Sequence, residues 1–371
     1  MRKLVDKGSV AETPATRLTI AGRTVLNFGG NDYLGLAHDS AVLAGAAAAL
    51  REHGAGATGS RLLSGQRPVH AALEAALARL KNKPRALVFP SGYQAAVTLL
   101  ATLCALDETP PRVLLDKLCH ASLIDGATLA RAKYQRFKHN SAADLEKYLA
   151  RHAPGECLVV VESIYSMDGD AAPLAEVHAV CHRFQALLVI DDAHATGVLG
   201  PSGSGLTQAF AADENVIVLG TLSKALGAQG GFVAAHEWAV DLLIQMGRGF
   251  LFTTGLAPAA AGAALAAVER LPALDAARKH LARLRAKLVA AFESRMPANC
   301  HPVAAIVPVV IGPDDQAVAV AEKLLADGFY VPAVRPPTVP PGTARLRISL
   351  SAAQAEADVD SLIAALHRRL A

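Results

Sequence analysis

The chain has little charge, and none of it is concentrated. Of its 371 residues, 36 are Lys or Arg and 33 are Asp or Glu, spread without blocks for a formal net charge of +3. That leaves no electrostatic footprint for holding nucleic acid or an anionic membrane. Long hydrophobic runs are also missing: those around Ala41 to Leu50 and Ala257 to Val268 are alanine-rich and fall short of the roughly 20 residues a membrane span needs. The opening MRKLVDKGSV lacks the apolar core of a secretory signal. Five cysteines (Cys104, Cys119, Cys157, Cys181, Cys300) form an odd set with no C-x-x-C pair, which argues against a disulfide framework and a zinc site and for a reducing cytoplasm. GPSGSG offers no G-x-S-x-G elbow, so a serine hydrolase finds no support. With 52% hydrophobic and 19% charged residues, the chain reads as globular, long enough for a large core and a second, smaller domain.

What is present is organised around residues 215–231, NVIVLGTLSKALGAQGG. The run Val216, Ile217, Val218, Leu219 reads as a buried strand, broken at Gly220 into a Thr-Leu-Ser segment that carries Lys224 ahead of a glycine-rich stretch. Open α/β sheets bind their ligands beyond the carboxyl ends of strands, where this lysine stands. Desolvating an ammonium is costly unless it is paired or discharged, and a Schiff base to an aldehyde cofactor would use the amine covalently. The plainer alternative is a lysine that begins a surface helix.

Around this segment strands and helices alternate. Residues 18–28 read as a hairpin turning at Ala21-Gly22-Arg23, and an alanine-rich helix covers about 40–52. Val69, Leu73, Ala76, Leu77 and Leu80 give a helix over about 69–80 one apolar face. RALVF, RVLLD, CLVVV and ALLVI follow as short strands, each running into a loop, and argue a mostly parallel sheet with its loops gathered at one edge. Farther on, helices near 273–294 and 315–327 flank AAIVPVVI, and YVPAV and ARLRISL supply further strands. Gly54, Gly56 and Gly59 spell G-x-G-x-x-G, but a dinucleotide site needs that pattern after a strand, and here it follows a helix. A loop that lets another backbone approach closely, such as a partner subunit's, is the better reading.

The loops carry the chemistry. Ser91-Gly92-Tyr93 lies where a strand gives way to a helix, so free N–H groups and a hydroxyl could hold a phosphate, or Ser91 could be an ordinary N-cap. His120 follows RVLLD and, alone, could be a structural histidine. Asp191 and Asp192 end ALLVI, with His194 two residues on. A carboxylate at the end of a buried strand needs a cation, which a protonated pyridine nitrogen would supply. Asp192 and Glu162 have the plainer reading of loop braces. A metal held by Asp191, Asp192 and His194 finds no further ligand spacing in its favour.

A lysine suited to a Schiff base, an Asp-x-x-His after a strand, an earlier histidine and a Ser-Gly at a helix start form a set suited to pyridoxal phosphate. The segments NDYLGLAH, HASLIDGA, SMDGDAAPLAEV, DDAHATGVLG, TLSKALG and RPPTVPPGTARLRISL, in that order from about residue 25 to the end, resemble the α-oxoamine synthases, a family of fold-type I pyridoxal phosphate enzymes. The resemblance implies an α/β fold whose large domain, residues 39–270, has a mostly parallel seven-stranded sheet sandwiched by helices. A smaller α+β domain, 271–371, would be joined by the N-terminal segment 1–38. It also implies that Lys224 carries the cofactor, Asp191 pairs with the pyridinium nitrogen, His194 binds the ring hydroxyl and His120 stacks on the ring. Ser91, Gly92 and Tyr93 would lie at the phosphate end, with Ser166 and Thr221 adding hydrogen bonds. Lys224, His120 and Asp191 make up the catalytic set, and no metal is expected.

For substrates the resemblance implies decarboxylative condensation of L-alanine with pimeloyl-CoA or a pimeloyl carrier protein. Asn31 and Arg347 would take the amino acid's carboxylate, which suits arginine's forked donors, and His120, Arg335 and Thr338 would face the acyl chain or the condensed intermediate. A solvent-facing strand edge is the plain alternative for Arg345 and Arg347 in ARLRISL. Members that condense glycine with acetyl-CoA or succinyl-CoA share the lysine, the aspartate and both histidines, and differ chiefly around RPPTVPPGT; a cofactor-binding protein without turnover is a third reading. A homodimer with a shared active site is implied as well. Members often carry a further helix with arginines before the first hairpin, where this chain offers only Arg2 and Arg17.

Overall fold

The computed structural model describes the backbone of residues 7–9 and, with side chains, residues 16–105 and 110–370; Arg2 lies outside the described residues. The chain divides into a larger unit, Ser40–Tyr165 with Ala171–Ala273, and a smaller one, Met1–Asp39 with Ser166–Asp170 and Leu274–Ala371.

The larger unit is built on a seven-stranded sheet. In space its strands run Arg85–Phe89, Gly231–Ala235, Val216–Thr221, Leu187–Asp191, Cys157–Glu162, Arg112–Asp116 and Tyr134–Phe137. All neighbours are parallel except the two pairs made by Gly231–Ala235, which runs antiparallel to both. This is the mostly parallel seven-stranded α/β fold that the motifs implied. Both faces of the sheet are covered. Leu115 and Val160 pack in one apolar core with Leu99, Leu103 and Leu123, while their neighbours Leu114 and Val159 pack in another with Leu145, Leu149 and Val177. Alternate side chains of one strand therefore enter opposite cores, which is why these strands read as unbroken apolar runs.

Two strands carried no clear signal in the sequence. Tyr134–Phe137 is an edge strand with three of its four residues exposed, so no apolar pattern marks it. Gly231–Ala235 hides in the glycine-rich stretch, where close packing demands the glycine: a Cβ on Gly231 would meet Gly92 Cα at 2.5 Å. The two alanine-rich runs are helices, Ser40–His53 and Pro258–Arg270, that pack against each other backbone to backbone. A Cβ on Gly45 would meet Gly262 O at 2.7 Å, and one on Gly262 would meet Gly45 O at 2.5 Å. The G-x-G-x-x-G stretch follows the first of these helices, and Gly59 O accepts a hydrogen bond from Gly255 N at 3.0 Å.

In the smaller unit the hairpin Arg17–Ile20 and Arg23–Asn27 turns at Ala21 and Gly22, both with positive φ (49° and 76°), the conformation of a tight two-residue connection. Phe329–Tyr330 pairs in parallel with Arg23–Asn27. A second, three-stranded antiparallel sheet has Ala344–Ser349 in the middle, between Ile306–Gly312 and Ala333–Val334. YVPAV is thus split between the two sheets, with Pro332 between the halves, where a missing N–H prevents continuous pairing. The helices Asp275–Phe292, Asp314–Ala326 and Glu356–Leu370 complete this unit.

Candidate active site

The carboxyl ends of the central strands border a cavity of about 240 Å³ whose lining includes Ser91, Gly92, Tyr93, His120, Glu162, Asp191, His194, Thr221 and Lys224. Lys224 follows directly on Val216–Thr221, is half-buried, and places Nζ 2.9 Å from His194 Nε2. Asp191 is the last residue of its strand; Oδ1 accepts from Ala193 N at 3.0 Å. Burial pushes its carboxyl up, Lys224, the Ala193 N–H and His120 pull it back, and Asp192 pushes it further. Glu162 lies level with Asp191 on the neighbouring strand. Burial, and then Asp191, raises the Glu162 carboxyl well above the usual range, and its Oε1 has no hydrogen-bond partner among the described residues.

His120 caps the helix Ala121–Leu129, its Nδ1 accepting from Ser122 N at 3.3 Å and standing 2.8 Å from Ser122 Oγ. Burial lowers its pKa, which keeps the ring neutral and Nδ1 an acceptor. Ser91 is the N-cap of the helix Gly92–Leu103, with Oγ accepting from Gln94 N at 3.1 Å. Gly92 brings that helix start against the next strand end, since even a Cβ there would stand 3.2 Å from the Thr221 side chain. Thr221 Oγ1 donates to Gly230 O at 3.0 Å and lies 2.8 Å from Ser223 Oγ. Tyr93 is exposed and donates its hydroxyl proton to Asp125 at 2.9 Å.

These groups fit pyridoxal phosphate. One cavity holds an amine for the aldehyde, a buried carboxylate for a pyridinium proton, and a helix start with hydroxyls for a phosphate. The unpartnered Glu162 Oε1 adds a buried acceptor with capacity to spare.

The remaining expected residues belong to the smaller unit. Arg347, 8% exposed, donates from Nε to Ser166 O at 2.7 Å and from Nη1 to Ser349 Oγ at 2.8 Å, with both Nη atoms 3.4 Å from Asn31 Oδ1. Tyr33 OH also donates to Asn31 Oδ1, at 3.1 Å. Arg345 is buried and paired with Asp168. ARLRISL is therefore a buried central strand and not a solvent-facing edge. Arg335 and Thr338 share an exposed turn closed by Thr338 N donating to Arg335 O at 3.1 Å.

Three residues escaped the sequence reading. Ser122 and Ser223 line the cavity; the position of each beside a singled-out residue in a loop was the available signal. Lys81, which ends the helix Pro68–Lys81 and carried no motif, is wholly buried against Asp192.

The aminotransferase class I and II pattern matches residues 23–366. A protein of Desulforudis audaxviator described as a putative 8-amino-7-oxononanoate synthase is 45% identical over 360 residues, 96% of this chain and 92% of that one. A serine palmitoyltransferase variant of S. paucimobilis, solved with a bound PLP–myriocin aldimine, superimposes with a TM-score of 0.91 at 32% identity, over 99% of this chain and 92% of that one. An 8-amino-7-oxononanoate synthase of Francisella tularensis does so with a TM-score of 0.78 at 25% identity, over 93% and 98%. The chain belongs to the aminotransferase class I and II family.

Proposed function

We propose that this chain is a pyridoxal phosphate-dependent acyltransferase that condenses L-alanine with a pimeloyl thioester, releasing carbon dioxide and forming 8-amino-7-oxononanoate, a step of biotin biosynthesis. The observation that carries the reading is the single cavity in which Lys224, Asp191, His120 and His194 meet, in a chain related over nearly its whole length to proteins named for that product.

Bound pyridoxal phosphate supplies an aldehyde that takes up an amine and a ring that accepts the electrons of a bond broken at the amino acid's α-carbon. Lys224 would hold the group, and its amine would move the α-proton. Asp191 keeps a proton on the ring nitrogen. His194, which stands at Lys224 Nζ, would bind the ring hydroxyl, and His120 would stack on the ring and donate a hydrogen bond to the ketone. The start of Gly92–Leu103 with Ser91 and Tyr93 would lie at the phosphate, and Ser166 and Thr221 would add hydrogen bonds to the cofactor. In the smaller unit the Arg347 fork, with Asn31, takes the amino acid's carboxylate, and Arg335 and Thr338 face the acyl chain.

Residues 39–270 are the cofactor-binding domain, and 271–371 with 1–38 form the smaller domain. The enzyme works in the cytoplasm as a homodimer with a shared active site. Exposed Leu62, Leu63, Leu129 and Phe252 on the larger unit support a partner subunit. No helix among the described residues is long and apolar enough to cross a membrane. The test is to offer the purified holoprotein alanine, glycine or serine against pimeloyl, acetyl and succinyl thioesters and weigh the ketone product. Product from alanine and pimeloyl thioester is expected, and product from glycine with a short acyl thioester alone would overturn the reading.

A further inference from the structure

Lys81 ends the helix Pro68–Lys81, a position from which a lysine ordinarily reaches into water beside the helix carbonyls. Here it is fully buried, and Nζ donates to Asp192 Oδ2 at 2.6 Å, Thr196 Oγ1 at 2.7 Å and Ser204 O at 2.6 Å. Three ammonium protons thus meet three fixed acceptors. The loop is shaped around the pair: Gly205 has φ +88°, and a Cβ on it would meet Asp192 Oδ2 at 1.7 Å. Asp192 Oδ1 accepts from Leu206 N at 3.2 Å, and Thr196 Oγ1 donates to Asp192 O at 2.8 Å.

A buried ion pair is weak evidence for stability, because well-packed apolar side chains often replace one without loss. Asp192, however, is the chain neighbour of Asp191. Two adjacent buried carboxylates oppose each other's ionisation, and Asp192 is among the groups that push Asp191 up. Around Asp191 stand Glu162 on the neighbouring strand, Cys119 and His120 after Arg112–Asp116, Lys224 after Val216–Thr221, Asp192 itself, and Lys81. Burial pushes the Cys119 thiol and the Glu162 carboxyl well up, which disfavours the charged form of both. The amine of Lys224 is used by the proposed chemistry. Lys81 is the cation of this group that no step consumes.

We propose that Lys81 is a positioning residue for the cofactor: by taking up the charge of Asp192 through three fixed hydrogen bonds, it leaves Asp191 able to stay ionised and hold the ring nitrogen. The inference rests on the functional reading given above. A protonated Asp191 cannot accept the pyridinium proton, so the effect is loss of cofactor affinity as pH falls.

The experiment is equilibrium dialysis of pyridoxal phosphate against apoprotein from about pH 6 to about pH 9, each variant being compared with the wild type at the same pH. Lys81→Met is expected to weaken binding by up to about tenfold toward the acid end of the range and to recover toward pH 9, the most that an upward shift of about one pH unit in Asp191 ionisation allows. Lys81→Met combined with Asp192→Asn, which removes both charges, is expected to bind within about threefold of wild type at every pH. A Lys81→Met ratio that does not change with pH, or a double variant with the same limb as the single, would overturn the proposal. Should Lys81→Met fail to fold, Asp192→Asn decides: with the Lys81 charge no longer taken up, relative affinity near pH 6 rises, and a fall or no change overturns the proposal. Asp191→Asn separates the two levels. If it leaves cofactor binding intact, the functional reading has failed; if binding depends on Asp191 but not on Lys81, only this inference has.

Discussion

Two lysines of the larger unit, Lys81 and Lys224, differ in their surroundings. Lys81 is enclosed, and each of its N–H bonds ends on an oxygen 2.6 to 2.7 Å away. Lys224 lines a cavity and faces an imidazole nitrogen at 2.9 Å. Burial brings both amines under a desolvation cost, but one is enclosed by a carboxylate, a hydroxyl and a carbonyl that fix it as an ammonium, and the other stands at an imidazole, with Asp191 near it, beside open volume. What separates a structural from a reactive lysine here is the acceptor set and the space, not the depth.

Replacing each lysine should therefore break different things. Lys224→Ala is expected to abolish turnover, a loss of about 10³-fold or more, together with the visible absorbance of the bound cofactor, while the thermal midpoint of the apoprotein stays near wild type. A yellow, active variant would erase the distinction. Lys81→Leu should act the other way. It strands the Asp192 carboxylate in the core and should cost about 3–5 kcal/mol in urea unfolding near neutral pH, with the Asp192→Asn double variant recovering much of that.

How much of this the sequence disclosed follows the same physics. Lys224, Asp191, Asp192, His194 and His120 were legible because each breaks or closely follows an apolar strand, where a polar side chain needs a reason. Long ordered agreement with one family then implied roles for Lys224, Asp191, His194 and His120. Lys81 was not legible: helix spacing puts it at a C-terminus, where lysine is the default residue, and its partner lies 111 positions away in sequence. Gly231–Ala235 was missed because its glycine answers to a neighbouring backbone, not to strand propensity. Ser166 and Arg347 stood in separate motifs, and only tertiary structure brings the Arg347 guanidinium onto the Ser166 carbonyl.

The helix that carries Lys81 offers a smaller, pH-dependent test. His70, on the same helix, is buried, places Nε2 2.7 Å from Leu256 O, and has its pKa lowered to about 4, chiefly by burial. With the folded value below the unfolded one, its contribution is complete above about pH 6.5 and is lost as pH falls toward about 4. Stability should drop by about 1–3 kcal/mol across that window. His70→Gln should flatten that part of the profile, and an unchanged slope would remove His70 as its source.

The smallest effects compare two helix caps. Ser91 Oγ accepts from Gln94 N at 3.1 Å in the cavity wall, and Ser141 Oγ accepts from Asp144 N at 3.2 Å at the start of Ala142–Leu149. Each alanine variant should lose about 1 kcal/mol of stability. Only Ser91→Ala should also weaken cofactor binding, as dialysis against pyridoxal phosphate would reveal.

The most direct measurement is to reduce the holoprotein with borohydride, digest it and locate the pyridoxyl group by mass spectrometry. The expected result is a single modified residue, Lys224, with Lys81 untouched; a label on any other lysine, or none at all, would contradict the assignment.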